Sequence, residues 1–433
     1  MTGILVGCLL FAPQGRDVAP GGLASTIREA VDTVDPVARR RAADRLAARP
    51  ESLAEMCTAM RKFGDFAAAV PGRSRENVEL WVGGRVEATE LHLYTPKNYR
   101  PGVPAPLLVL GHGTGGNGRQ MLPMWIEFAE RTGTVLLAPS EAGANGGWAF
   151  SERERESARS AIRHVRRRFD IDENRIYCSG ISRGGHLAWD VALRYPDLFA
   201  AIAPMIGGPR IKLVQGQNNT RYLENVAQLP IRDLQGAKDD RYLVANVRWA
   251  FTRLKELKAA DAKLVEFPDL GHSFRLAAVD WVEFLGRSKR DPRPRRVVRM
   301  VAEPREVRAF WVEVQALDTA KVKVVPRLVA TRAFTALDEL GQRAYVAREV
   351  ERHTARLEVV MSGPGDFTAK SRLLRSFRLL LDERMLVAGK GVVVKHNGVR
   401  RVHPLERSKR VLCREFVERF DRTFLPIAEV VVR

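Results

Sequence analysis

The chain has 433 residues and a formal charge of +20, from 71 Lys and Arg against 51 Asp and Glu. Apolar residues make up 45% and charged residues 28%, which excludes a disordered chain, a collagen-like repeat and a disulfide-dense miniprotein. No apolar run reaches the roughly 18 residues of a membrane-spanning helix, and Cys8, Cys57, Cys178 and Cys413 form no C-x-x-C pair that would suggest a zinc ribbon or redox motif.

In residues 1–20 the apolar stretch Gly3–Ala12 reads as the core of an export signal, with a buried N-terminal element as the alternative. The expected location is periplasmic or secreted, otherwise cytoplasmic. Residues 21–77 read as a helical leader, because Ala and apolar residues interleave with Arg, Asp and Glu between Pro36 and Pro50 and around them. From about Val78 to residue 288, strands and helices alternate. Leu91–Tyr94, Leu107–Leu110, Val135–Ala138, Ile176–Ser179, Ala200–Met205, Pro230–Leu234 and Lys263–Phe267 are the expected strands. Helical spacing runs over Ser157–Phe169, Gly184–Tyr195 and Val244–Ala260. This order predicts an α/β fold, a doubly wound and mostly parallel sheet with helices on both faces.

Residues 289–298 are rich in Arg, Pro and Lys and read as a basic linker. Beyond them, over 299–433, the period changes to two. Strands are expected at Ala309–Leu317, Lys321–Ala330, Arg356–Met361, Phe377–Leu381, Val392–Lys395 and Val399–Val402, the last two joined by an Asn397-Gly398 hairpin turn. A helix over Lys409–Phe420 and a strand over Ile427–Val432 complete a C-terminal, mostly β accessory domain. Residues 291–433 carry 30 basic and 18 acidic side chains, +12 of the +20. A plain solvated surface and a face that contacts an anionic surface or polysaccharide are the two readings of that excess. No nucleic-acid motif accompanies it, so no nucleic-acid partner is expected.

Gly180-Ile181-Ser182-Arg183-Gly184 fits G-x-S-x-G between a predicted strand and a predicted helix. That context is what a nucleophilic Ser on a sharp turn requires. A hydroxyl needs an adjacent base, and His272 is placed best, in the loop after Lys263–Phe267. A carboxylate between Ser and His in sequence should orient the imidazole. Asp239, in Gly236-Ala237-Lys238-Asp239-Asp240, is the expected acid, with Asp240 as the alternative. The loop Gly111-His112-Gly113-Thr114-Gly115-Gly116 follows Leu107–Leu110. Its N–H groups, from Thr114 or Gly113, together with that of Arg183, are the expected oxyanion hole. His112 and Trp148 are expected on the substrate side; for Trp148, an aromatic wall and a packed loop anchor both stay open. His186 and Trp189 read as core.

Leu107–Gly118, Asp172–Gly185, Gly236–Asp240 and Pro268–His272 resemble, in order, the motifs of the α/β-hydrolase superfamily. The likeness is to bacterial esterases and predicted peptidases related to dienelactone hydrolases, prolyl oligopeptidases and polyester depolymerases. It covers roughly residues 78–288. Asp172-Glu173-Asn174-Arg175-Ile176-Tyr177 before the Ser turn and Gly184-Gly185-His186 after it carry it. The resemblance implies Ser182 as nucleophile, His272 as base and Asp239 as acid. Arg183 departs from it, standing where Met, Gln or Asn is common; a cation there would favour an anionic substrate or simply project over the surface.

The expected protein is therefore a serine hydrolase of small or polymeric carboxylic esters that needs no metal or organic cofactor. Peptide hydrolysis by the same three residues is one alternative. A catalytically inactive protein that binds surfaces through its basic C-terminal module is another.

Overall fold

Alternate residues along the central strands pack to opposite faces. This computed structural model describes residues 21–64, 66–140, 150–304 and 306–433; the expected export signal, Cys8 and Trp148 lie outside them. In β3 (Ala105–Gly111), Leu107 and Val109 join one apolar cluster while Leu108 and Leu110 join another. The first cluster takes its cover from helices Glu152–Arg168, Arg183–Arg194 and Arg241–Glu256. The second is covered by helices Ile126–Thr132 and Trp281–Arg287. Burial on both faces is why these strands read as continuous apolar runs.

The sheet has eight strands. Besides β3 they are β1 (Gly72–Val82), β2 (Arg85–Thr95), β4 (Val135–Pro139), β5 (Ile171–Ile181), β6 (Ala201–Met205), β7 (Ile231–Gly236) and β8 (Ala262–Phe267). Their order is β1-β2-β4-β3-β5-β6-β7-β8. β1 and β2 are antiparallel; from β4 to β8 all pairs are parallel. The sheet thus begins at Gly72, within the segment read as helical leader. The leader itself is three helices, Leu23–Asp32, Pro36–Ala47 and Leu53–Arg61.

The C-terminal strands form two further sheets, one of four strands and one of five. Two expectations there need correction. Lys321–Ala330 is not a strand: its carbonyls at Lys323 and Val324 accept from the Arg221 guanidinium, and Val324 also accepts from Asn218 Nδ2. Side chains have taken acceptors that a ladder would use, and Pro326 withholds a donor. A helix at Glu339–Arg352 and a strand at Asp366–Arg372 stand where no element was expected.

The basic linker reading also gives way. Arg290 reaches Asn174 Oδ1 (2.8 Å), Asp421 Oδ2 (2.7 Å), Thr423 Oγ1 (2.9 Å) and the Asp197 carbonyl (2.9 Å). Strand Arg296–Val301 then enters the five-stranded sheet. Arginine here fastens the segment in place, because each guanidinium offers five donors to fixed acceptors. The apolar core is continuous across this junction, from Ile202 and Leu193 to Met300, Trp311 and Phe377.

Candidate active site

Ser182 stands between β5 and helix Arg183–Arg194. Its backbone has φ 56° and ψ −113°, a conformation that L-residues avoid unless their surroundings enforce it. The neighbours enforce it by leaving no room. A Cβ at Gly184 would run into the Gly111 carbonyl, and one at Gly180 into the backbone of Gly184. The Ser182 N–H donates to the Met205 carbonyl (2.9 Å), which locks the turn to β6. The hydroxyl is thereby held at the carboxyl end of the parallel strands.

Two loops at that same end are tied to each other. Ala237 N donates to the Phe267 carbonyl (3.0 Å) and Lys238 N to that of Leu270 (2.8 Å). These backbone bonds bring Asp239, after β7, against His272, after β8. His272 Nδ1–H donates to Asp239 Oδ2 (2.8 Å), and His272 Nε2 accepts from the Ser182 hydroxyl (2.9 Å). The Asp239 side chain is 6% exposed and the His272 side chain 51%. Gln235 Nε2 also donates to Asp239 Oδ2 (2.9 Å), and the Asp240 N–H donates to Oδ1 (2.7 Å). The carboxylate is therefore fixed from three sides.

Asp240 is differently employed. Its Oδ1 accepts from Tyr242 N (3.1 Å) and Leu243 N (2.9 Å), capping helix Arg241–Glu256. The structure brings Asp239, and not Asp240, to His272.

The glycine loop after β3 lies beside Ser182: a Cβ on Gly113 would stand 3.8 Å from Ser182 Cβ. Arg183 is the first residue of its helix, directly after Ser182. Thr114 follows Gly113 on the same loop. His112 is only 1% exposed, and its Nδ1 bonds the Gly113 carbonyl (2.8 Å). His112, expected on the substrate side, is thus buried, with its ring bonded to its own loop.

His186 and Trp189 are buried. Trp189 Nε1 donates to Asp233 Oδ2 (2.7 Å). Burial and the nearby Arg210 charge push the His186 imidazole down to about 3, so it is neutral. Cys178 is buried in β5, and burial pushes its thiol up to about 12. Gln235 and Arg210 are contacts at this edge that the sequence did not single out. Gln235 carries one signal, an amide in an otherwise buried strand, and it acquires meaning only once Asp239 is placed four residues on.

A strand order of 1-2-4-3-5-6-7-8 with the serine on a strand–turn–helix after the fifth strand defines an α/β-hydrolase fold. No family model matches the chain. A segment of 119 residues is 26% identical to the bifunctional acetylxylan esterase/xylanase XynS20E of Neocallimastix patriciarum, covering 27% of this chain and 18% of that protein. Another, of 173 residues, is 27% identical to the acetylxylan esterase of Coprinopsis cinerea, covering 36% of this chain and 40% of that one. The chain thus spans less than half the length of these curated relatives. Among solved structures, the esterase Est2 of Thermogutta terrifontis, determined with propionate, aligns over 50% of this chain and 92% of its own, with 20% identity and a TM-score of 0.40. No helix among the described residues is long and apolar enough to cross a membrane.

Proposed function

We propose that this protein is a serine hydrolase that cleaves carboxylic esters through an acyl-enzyme. Ser182 Oγ attacks the ester carbonyl carbon and its proton passes to His272 Nε2. The carbonyl electron pair moves onto oxygen, and the oxyanion is received by the N–H of Arg183 and that of Thr114 or Gly113. Removal of one such donor typically costs about 3–4 kcal/mol of transition-state stabilisation. Collapse breaks the bond to the alcohol, which leaves with the proton held on His272. Water then attacks the acyl-enzyme by the same proton route and releases the acid. Asp239 keeps the imidazole in the tautomer that accepts at Nε2 and stabilises its protonated form.

The observation that carries this reading is the continuous chain Asp239 Oδ2 to His272 Nδ1 (2.8 Å) and His272 Nε2 to Ser182 Oγ (2.9 Å), on a serine whose backbone is held at φ 56°. The names of the two relatives add support for an ester and suggest acetyl groups on polysaccharide as the first substrates to try. The test is covalent labelling by a fluorophosphonate. The wild-type protein should label at a single serine, and Ser182→Ala should lose the label while keeping its circular dichroism. Label retained by Ser182→Ala places the nucleophile elsewhere. Amide analogues of the esters, run in parallel, measure the peptidase alternative.

A further inference from the structure

Arg210 lies on the loop after β6, at the same edge of the sheet as Ser182. Its Nη2 donates to His186 Nε2 (3.2 Å), and its guanidinium stacks 4.9 Å from the centre of the Phe150 ring. Nη1 meets Gln217 Oε1 at 3.5 Å. His186 stands one helical turn beyond the nucleophile, and its backbone N–H donates to the Ser182 carbonyl (3.0 Å). The His186 Nδ1–H donates to the Gly208 carbonyl (2.5 Å). The imidazole thus fixes the loop with one nitrogen and the guanidinium with the other.

Arg210 is half-buried, and its partners differ from those of three arginines at the junction with the C-terminal strands. Arg194, Arg290 and Arg422 all meet carboxylates. Arg221 has no carboxylate among the described residues, but four backbone carbonyls and the Thr354 hydroxyl accept from it. Arg210 makes no ion pair among the described residues. Only two neutral side-chain acceptors meet its five N–H donors there. Its charge is disfavoured by burial and by the like charge of Arg183. Asp240 opposes this, but that carboxylate already caps a helix. A rigidly held guanidinium with donors to spare, beside a nucleophile, matches the planar fork of a carboxylate.

On the reading of Ser182 as nucleophile, we infer that Arg210 recognises a carboxylate carried by the substrate, so that the preferred esters are anionic ones, with a carboxylate a few bonds from the scissile carbonyl. Phe150 and His186 hold the guanidinium in place before substrate arrives, which lowers the ordering cost of binding.

The experiment compares charged and neutral esters of matched shape. One pair places the charge on the acyl side: the 4-nitrophenyl monoester of glutarate against that of glutaramate. The other places it on the alcohol side: 4-acetoxybenzoate against 4-acetoxybenzamide. The charged member of at least one pair should have a kcat/KM about tenfold higher, mainly through KM, as a charge-assisted contact provides. That ratio should collapse towards one in Arg210→Met and be partly kept in Arg210→Lys. In the wild-type protein it should also fall between about 0.02 M and about 0.5 M salt, a readout that does not depend on any variant folding. Equal kcat/KM in both pairs, or a preference that survives Arg210→Met, overturns the inference. If neutral esters are turned over in a Ser182-dependent way without charge preference, the inference falls alone. If no ester is turned over and no serine is labelled, the nucleophile reading falls with it.

Discussion

The junction between the eight-stranded sheet and the C-terminal strands, and the carboxyl edge of that same sheet, use polar side chains in opposite ways. At the junction Arg194, with a side chain 0% exposed, meets Asp190 (2.9 Å), Glu303 (3.0 Å) and Glu306. Arg422 likewise meets Glu173 (2.6 Å) and Asp170 (3.0 Å). Charge is matched and removed from water. At the edge, Asp239 is buried, His272 half exposed, and the Ser182 hydroxyl comes last in the chain. The first arrangement is closed and holds two sheets together. The second ends on a hydroxyl that, on the proposed function, exchanges its partner for a substrate. Where opposite charges are paired and buried they fix shape; a chain with an open end leaves a group for chemistry.

This contrast can be broken by experiment, and the largest effect is expected at the edge. Asp239→Asn should lower kcat by about 10³- to 10⁴-fold, because an amide can no longer fix the imidazole tautomer. Asp240→Asn should leave kcat within about threefold, since Asn also caps helices. Rates in the reverse order would assign the acid to Asp240. At the junction the expected effect is on folding. Arg194→Met removes one partner and leaves buried Asp190 and Glu306 with Arg155 as their remaining cation among the described residues, a loss of about 3–5 kcal/mol in a urea unfolding experiment. A variant as stable as wild type would show that the buried network is not what joins the regions.

The smallest expected effect sharpens the comparison through pH. Glu415 is buried, and burial alone would raise its carboxyl; Arg308, Arg378 and Arg414 outweigh that and hold it below the ordinary value of 4.5. A carboxylate with a depressed folded-state pKa stabilises the fold above its unfolded value, and that contribution disappears as pH falls through the folded one. The stability gap between wild type and Glu415→Gln, measured by denaturant at several pH values, should therefore be widest near neutrality. It should narrow as pH drops below about 4.5, the usual glutamate range. A gap that does not depend on pH would remove the charge argument.

In sequence, the basic excess over residues 291–433 read either as a plain solvated surface or as a face for an anionic partner. Much of the arginine in the C-terminal third is turned inward: Arg290, Arg308, Arg378, Arg419 and Arg422 all meet carboxylates. Net charge counts side chains and is blind to pairing, which is why the composition could not separate a polyanion-facing surface from an internal clamp. The Lys321–Ala330 strand failed for a related reason. Its apolar alternation was real, but Arg221, a hundred positions earlier, claims its carbonyls. The helix Glu339–Arg352 was missed because few of its residues are buried, so it carries a weak apolar stripe.

The sequence alone determined the local events: where buried strands run, where glycines leave the chain free to turn at Ser182, and which loops carry a carboxylate and an imidazole. Those follow from steric room and apolar periodicity, which act over a few residues. Only the tertiary structure decided that Asp239 rather than its neighbour meets His272, that His112 is buried against its own loop, and that Arg210, on the loop after β6, meets no carboxylate among the described residues. Each of these depends on the backbone bonds between the 236–240 and 268–272 loops, or on the packing of residues far apart in the chain. Hydrogen bonds over such separations are set by the assembled sheet and leave no periodic trace in the sequence.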